Sequence, residues 1–137
     1  MAVISELIRL ESNGTISFGD YTLNEKAKLD SFKHNGGSYK VKTYKDITKL
    51  ECNDMFVYES VPGTAVSNFN KEEGKVSFVV EGEEDAQITL ELEPESEYEI
   101  AINGETVGAM STNLGGKLSL SVELEGNAAV SIIIEKR

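Results

Sequence analysis

The strongest constraint on this chain is an alternation of apolar and polar residues that recurs through its second half. Val76, Phe78 and Val80 are separated by Ser77 and Val79. Ala86, Ile88, Leu90 and Leu92 are separated by Gln87, Thr89 and Glu91, and Tyr98, Ile100 and Ile102 by Glu99 and Ala101. Leu118, Leu120, Val122 and Leu124 continue the pattern, and Val130, Ile132 and Ile134 close it. A strand turns successive side chains to opposite faces, so a period of two describes strands with one face buried and one in water. That is the habit of antiparallel sheets. The interspersed glutamates are then the wet face of a sheet and not a catalytic array.

The turn residues agree. Asn103-Gly104 lies between two apolar runs, where a type I′ turn needs φ > 0 at both central positions. A two-residue loop there would pair Ile100 with Val107 and Tyr98 with Ala109. Asn13-Gly14 and Asn53-Asp54 read as two more hairpin loops. The latter would set Cys52 against Met55 and Leu50 against Val57, leaving Phe56 and Tyr58 on the other, partly exposed face. Val61-Pro62-Gly63-Thr64 has proline and glycine where a type II turn wants them. Asn113-Leu114-Gly115-Gly116 reads as a loop before a strand, with Leu114 either core or a contact residue.

The first half has a weaker period. TISFG, SYKVKT and DMFVYES read as strands, SELIRLES as a strand or a helical turn, and EKAKLDSFK as a short helix. The polar segment NKEEG (70–74) suggests a boundary between residues 1–70 and 71–137, as two small β modules or one continuous domain. The expected fold is all-β, about ten to twelve short strands in two packed antiparallel sheets.

Charge is distributed unevenly. Of the net −11, residues 71–137 carry −10, with five basic against fifteen acidic side chains. Residues 26–49 run the other way, with seven lysines and two aspartates. An acidic whole argues against nucleic acid as a partner. No apolar run approaches the roughly 20 residues that cross a bilayer as a helix. The start MAVISELIRLES lacks the basic and apolar regions of a signal peptide. The single cysteine, Cys52, fits a reducing compartment. A cytoplasmic location is the expectation, with a virion or cell-surface setting as the alternative.

Catalytic constellations are scarce. His34 is the only histidine, in a Gly36-Gly37 turn, so any Ser-His or Cys-His machine must use it. One histidine and one cysteine fall short of the roughly four ligands of a structural zinc site. The acidic run Glu81-Gly82-Glu83-Glu84-Asp85 could offer oxygens to calcium but lacks the spacing of a calcium loop. No cofactor motif is present, because no helix N-terminus follows the glycines at 115–116 to cradle a phosphate.

Leu92-Glu93-Pro94-Glu95-Ser96-Glu97-Tyr98-Glu99-Ile100 has the form L-x-P-x-x-x-Y-x-I between two strands. It resembles the tyrosine corner of fibronectin type III and other immunoglobulin-like sandwiches. In that motif a tyrosine hydroxyl reaches upstream backbone across the turn. The resemblance implies a structural role for Pro94 and Tyr98. Longer stretches, VKTYKDITKLECNDMFVYESVPGTAV, EGEEDAQITLELEPESEY and STNLGGKLSLSVEL, resemble a group of short acidic bacterial proteins sometimes labelled endosialidase. The residues do not support that activity. Propeller sialidases need about six four-stranded blades, and they grip the sialic carboxylate with clustered arginines. This chain has only Arg9 and Arg137. Kinship to a noncatalytic stalk or assembly segment is what the resemblance implies instead.

The functional expectation is a noncatalytic structural or interaction protein that self-associates. Lysines of 26–49 would face acidic residues of 81–99 in another copy. Lys40 and Lys42 would guard a sheet edge, and Phe56, Tyr58, Leu114 and Ile133 are candidate contacts. The alternative is a carbohydrate- or ligand-binding accessory module, with a glycan or a phage assembly component as the partner. The absence of tryptophan weighs against a sugar site.

Overall fold

The computed structural model describes residues 3–126 and 129–137. It is all-β, with thirteen strands in two antiparallel sheets of seven and six. The strands are β1 (Ile8–Leu10), β2 (Ile16–Phe18), β3 (Ala27–His34), β4 (Gly37–Tyr44), β5 (Ile47–Cys52), β6 (Met55–Val61) and β7 (Ala65–Glu72). They continue with β8 (Lys75–Glu81), β9 (Ala86–Glu91), β10 (Glu97–Ile102), β11 (Glu105–Ser111), β12 (Lys117–Val122) and β13 (Val130–Lys136). The wider sheet runs β1-β2-β7-β8-β13-β10-β11 and the narrower β12-β9-β6-β5-β4-β3. Both sheets draw strands from before and after residue 70, and β7 passes through that position. One buried apolar cluster, from Ile8 to Ile134, serves the whole described chain.

The alternation sends every second residue inward, and the sheets meet on aromatic rings. Tyr58 of the narrow sheet stands edge-on to Phe18, Phe69 and Phe78 of the wide one, at centroid distances of 5.3, 6.4 and 5.8 Å. Edge-to-face contacts of this kind add to the area they bury.

A chain of buried hydroxyls runs beside this aromatic seam. The Asp20 N–H donates to Thr43 Oγ1 (3.0 Å), which bonds Thr48 Oγ1 (2.8 Å). Thr48 in turn donates to the Thr64 carbonyl (2.9 Å) and accepts from the Thr64 N–H (3.1 Å). Thr64 Oγ1 then joins Tyr58 Oη and Ser60 Oγ, each at 2.8 Å. Thr43, Thr48, Ser60 and Thr64 have no exposed surface, so the partners replace the water that burial removes.

Several local expectations are corrected. EKAKLDSFK is not helical: Ala27–His34 is strand β3, paired with β4 on both sides of a bulge at Asp30 and Ser31. The Val61–Pro62 peptide is cis and Gly63 does not have positive φ, so the type II turn is absent. Glycine is required there because a Cβ would lie 2.1 Å from the Tyr44 carbonyl oxygen. At Asn103-Gly104 both residues have positive φ (51° and 84°), as the turn needs, and Ile102 opposes Glu105. A bulge then shifts the register, so Ile100 opposes Gly108 and Tyr98 opposes Met110. Gly108, at φ 141°, adopts a backbone that L side chains avoid. A second bulge in the β5–β6 hairpin sets Leu50 against Tyr58, not Val57.

Candidate interaction surfaces

The residues with nucleophilic or metal-binding chemistry are dispersed. His34 ends β3, and its Nε2 lies 3.2 Å from the Asn35 amide. Cys52 ends β5 opposite Tyr39, whose phenol is pushed up to about 12, mainly by burial and then by Cys52. Asp85 is a backbone acceptor: its Oδ1 takes the N–H groups of Leu124 (2.9 Å) and Glu125 (3.0 Å). Among the described residues no three His, Cys, Asp or Glu side chains are grouped to hold a metal.

The turn after β9 is held by side chains at both of its ends. Tyr98, 2% exposed, accepts a hydrogen bond at Oη from the Glu93 N–H (3.1 Å). From the other side, Thr112 Oγ1 donates to the Glu93 carbonyl (2.6 Å) and accepts from the Ser96 N–H (2.9 Å). Pro94 lies inside this doubly tied turn, where Glu95 has φ 47°. The arrangement positions β10 and the start of the loop after β11. Thr112 had no sequence signal beyond being a threonine in a polar loop.

The lysines form a face, but Lys40 and Lys42 are not at its edge. Lys40 and Lys42 lie on β4, an inner strand, and the edge is β3, so their expected role as edge guards is corrected. Val41 and Leu50 point into the core, which turns Lys40, Lys42 and Lys49 outward. Lys28, Lys42 and Lys49 oppose one another directly across β3, β4 and β5. Strands are about 4.8 Å apart, so three ammonium groups share one row. Lys28, first, and then desolvation and Lys26, Lys49 and Lys40 hold the Lys42 ammonium below the usual lysine range. Of the row, only Lys49 has an ion pair among the described residues, to Glu51 at 3.9 Å.

The other candidate contacts separate. Tyr58 is fully buried and cannot be a surface contact; the β5–β6 bulge turns it inward. Phe56 is half-buried on the outer face, beneath Lys117 Nζ (4.7 Å from the ring centroid) and Lys49 Nζ (5.9 Å). Ile133 is half-buried on the outer face of the wide sheet, between Ala101 and Ser77. Leu114 is 79% exposed, so it is no part of the core.

The strand expected after Asn103-Gly104 is present as β11, but its exposure was not foreseen: every one of its residues is exposed. The wide sheet has one strand more than the narrow, and among the described residues β11 pairs only with β10 and β12 only with β9. Between these two free edges runs a groove of about 350 Å³, lined by Ile100, Ile102, Val107, Met110 and Leu120. Val107 is 59% and Met110 38% exposed. No protein-family model matches the chain, and no curated protein and no solved structure matches it either.

Proposed function

We propose that this is a noncatalytic interaction protein that associates with itself, the lysine face of the narrow sheet meeting acidic surface of another copy. The register Lys28–Lys42–Lys49 carries the reading. Like charges placed directly opposite in a sheet destabilise it. The row meets a carboxylate only at Glu59, opposite Lys49 on β6, so Lys28 and Lys42 face only lysine across the sheet. Acidic groups of a second copy would offset the repulsion. Glu83 and Glu84 in the exposed loop after β8, and Glu97 and Glu99 on β10, are of that kind.

Contacts between unlike faces are heterologous and close into rings when the rotation permits. Charge pairs that steer such a contact are screened beyond about 8–10 Å at physiological ionic strength. Light scattering across a salt series tests the reading. The expected result is an oligomer that loosens as salt rises and is lost in Lys28→Glu/Lys42→Glu. Association indifferent to that double substitution would remove the lysine face from the interface.

A further inference from the structure

A second surface has a different chemistry. Sheet edges offer unpaired N–H and C=O groups, and proteins protect them with charge, proline, bulges or cover. β11 has one bulge and one charge, Glu105 at its first residue. Beyond the bulge, Gly108, Ala109, Met110 and Ser111 form a regular, uncharged ladder against β10, and no described strand pairs with their other side.

We infer that β11 is a homodimer edge, on which a second copy adds its own β11 antiparallel about a two-fold axis through Ala109. A two-fold axis perpendicular to a sheet keeps each side chain on its own face. Directly opposite residues share a face, so equivalent residues must oppose each other at the axis. With Ala109 on the axis, Gly108 opposes Met110 of the second copy, and Met110 opposes its Gly108. Both residues face inward, because their β10 partners Ile100 and Tyr98 are buried. Gly108 has open space where a Cβ would stand. The larger side chain of each copy therefore fits over the vacant position of the other, at the mouth of the apolar groove. On the outer face Ala109 meets Ala109, the smallest side-chain pair available.

Charge sets the conditions. Glu99 is the nearest outward carboxylate to the axis, opposite Ala109 on β10. The two copies of Glu99 are separated by three strand spacings, about 14 Å, which is beyond the screening length at physiological salt. Each copy has a net charge of −11, so the long-range force opposes this contact. Added salt strengthens it. A lysine-to-acid contact responds with the opposite sign, and the two surfaces are separable on that ground.

The test uses the full chain with Cys52→Ser. In that background Ala109→Cys is expected to form an intermolecular disulfide under mild oxidation. Opposed Cα atoms in an antiparallel pair are about 4.5–5.5 Å apart, within disulfide reach. Met110→Cys, which faces Gly108, is expected to stay largely uncrosslinked. In otherwise unaltered protein, sedimentation should show dimer increasing with salt and lost in Met110→Lys, while the circular dichroism of the strands is retained. A monomer at low and high salt with no crosslink at Ala109→Cys overturns the inference. So does crosslinking that favours Met110→Cys over Ala109→Cys. Association lost in Lys28→Glu/Lys42→Glu but kept in Met110→Lys overturns it and leaves the lysine-face reading standing. The reverse pattern keeps the β11 dimer and rejects the lysine face.

Discussion

The two ends of the sandwich treat their edges in opposite ways. At one end the edge strand β3 carries Lys28, Asp30, Lys33 and His34, is broken by a bulge, and has Ser31 at φ 59°. The next two strands add Lys40, Lys42 and Lys49. At the other end β11 has a single carboxylate and every one of its residues is exposed. A chain with many charges has left the β11 and β12 edges with one each. Edge protection is therefore a local property, and net charge says little about which edge is open.

The contrast should be largest in stability. Leu50, fully buried near the β3 end, is expected to cost about 2–5 kcal/mol when replaced by alanine. Val107→Ala on β11 should stay within about 0.5 kcal/mol. Denaturant unfolding of both variants as monomers checks this, and equal losses would mean that β11 is packed and not overhanging. The next difference concerns hydrogen bonds. Thr64→Val leaves Tyr58 and Ser60 without their shared partner in a dry interior, at a cost of about 1–3 kcal/mol. Tyr98→Phe removes one bond to a backbone N–H that is only part-buried, for about 0.5–1.5 kcal/mol. A larger loss at Tyr98 would reverse the ranking of the two ends.

The smallest effect belongs to the lysine row. Lys42→Gln relieves cross-strand repulsion and should stabilise the monomer by about a few tenths of a kcal/mol at low salt, vanishing at high salt. The pH dependence has a defined sign. Folded Lys42 releases its proton below the ordinary lysine range, chiefly because of Lys28. The unfolded chain then holds more protons, so stability rises as pH climbs toward that range. Thermal melts of wild type and Lys42→Gln should converge there; melts that diverge would remove the repulsion.

The all-β class and the strands of the second half were legible because alternation and turn residues are local signals. The paired positions were not. The bulge that sets Leu50 against Tyr58 and the one that sets Ile100 against Gly108 each insert one residue, and one residue reverses which face a side chain joins. That is how Tyr58, the central aromatic of the core, came to resemble a surface residue. β11 was misread for a different reason. Its apolar residues have strand periodicity, but burial depends on a facing strand, and sheet widths of seven and six are set by topology. The lysine run was visible as composition, whereas its alignment across three strands needed the register. EKAKLDSFK has helix-forming residues that pairing with β4 overrides.

The hydroxyl chain from Thr43 to Ser60 separates what the surface senses from what the interior feels. Its threonine and serine hydroxyls do not ionise at any ordinary pH. Burial pushes its one titratable member, Tyr58, above the usual tyrosine range. The loops at Asp20 and Thr64 thus stay tied to the narrow sheet by the same hydrogen bonds while the carboxylates and ammonium groups outside gain or lose charge. Acidity can change what this surface attracts without loosening those ties.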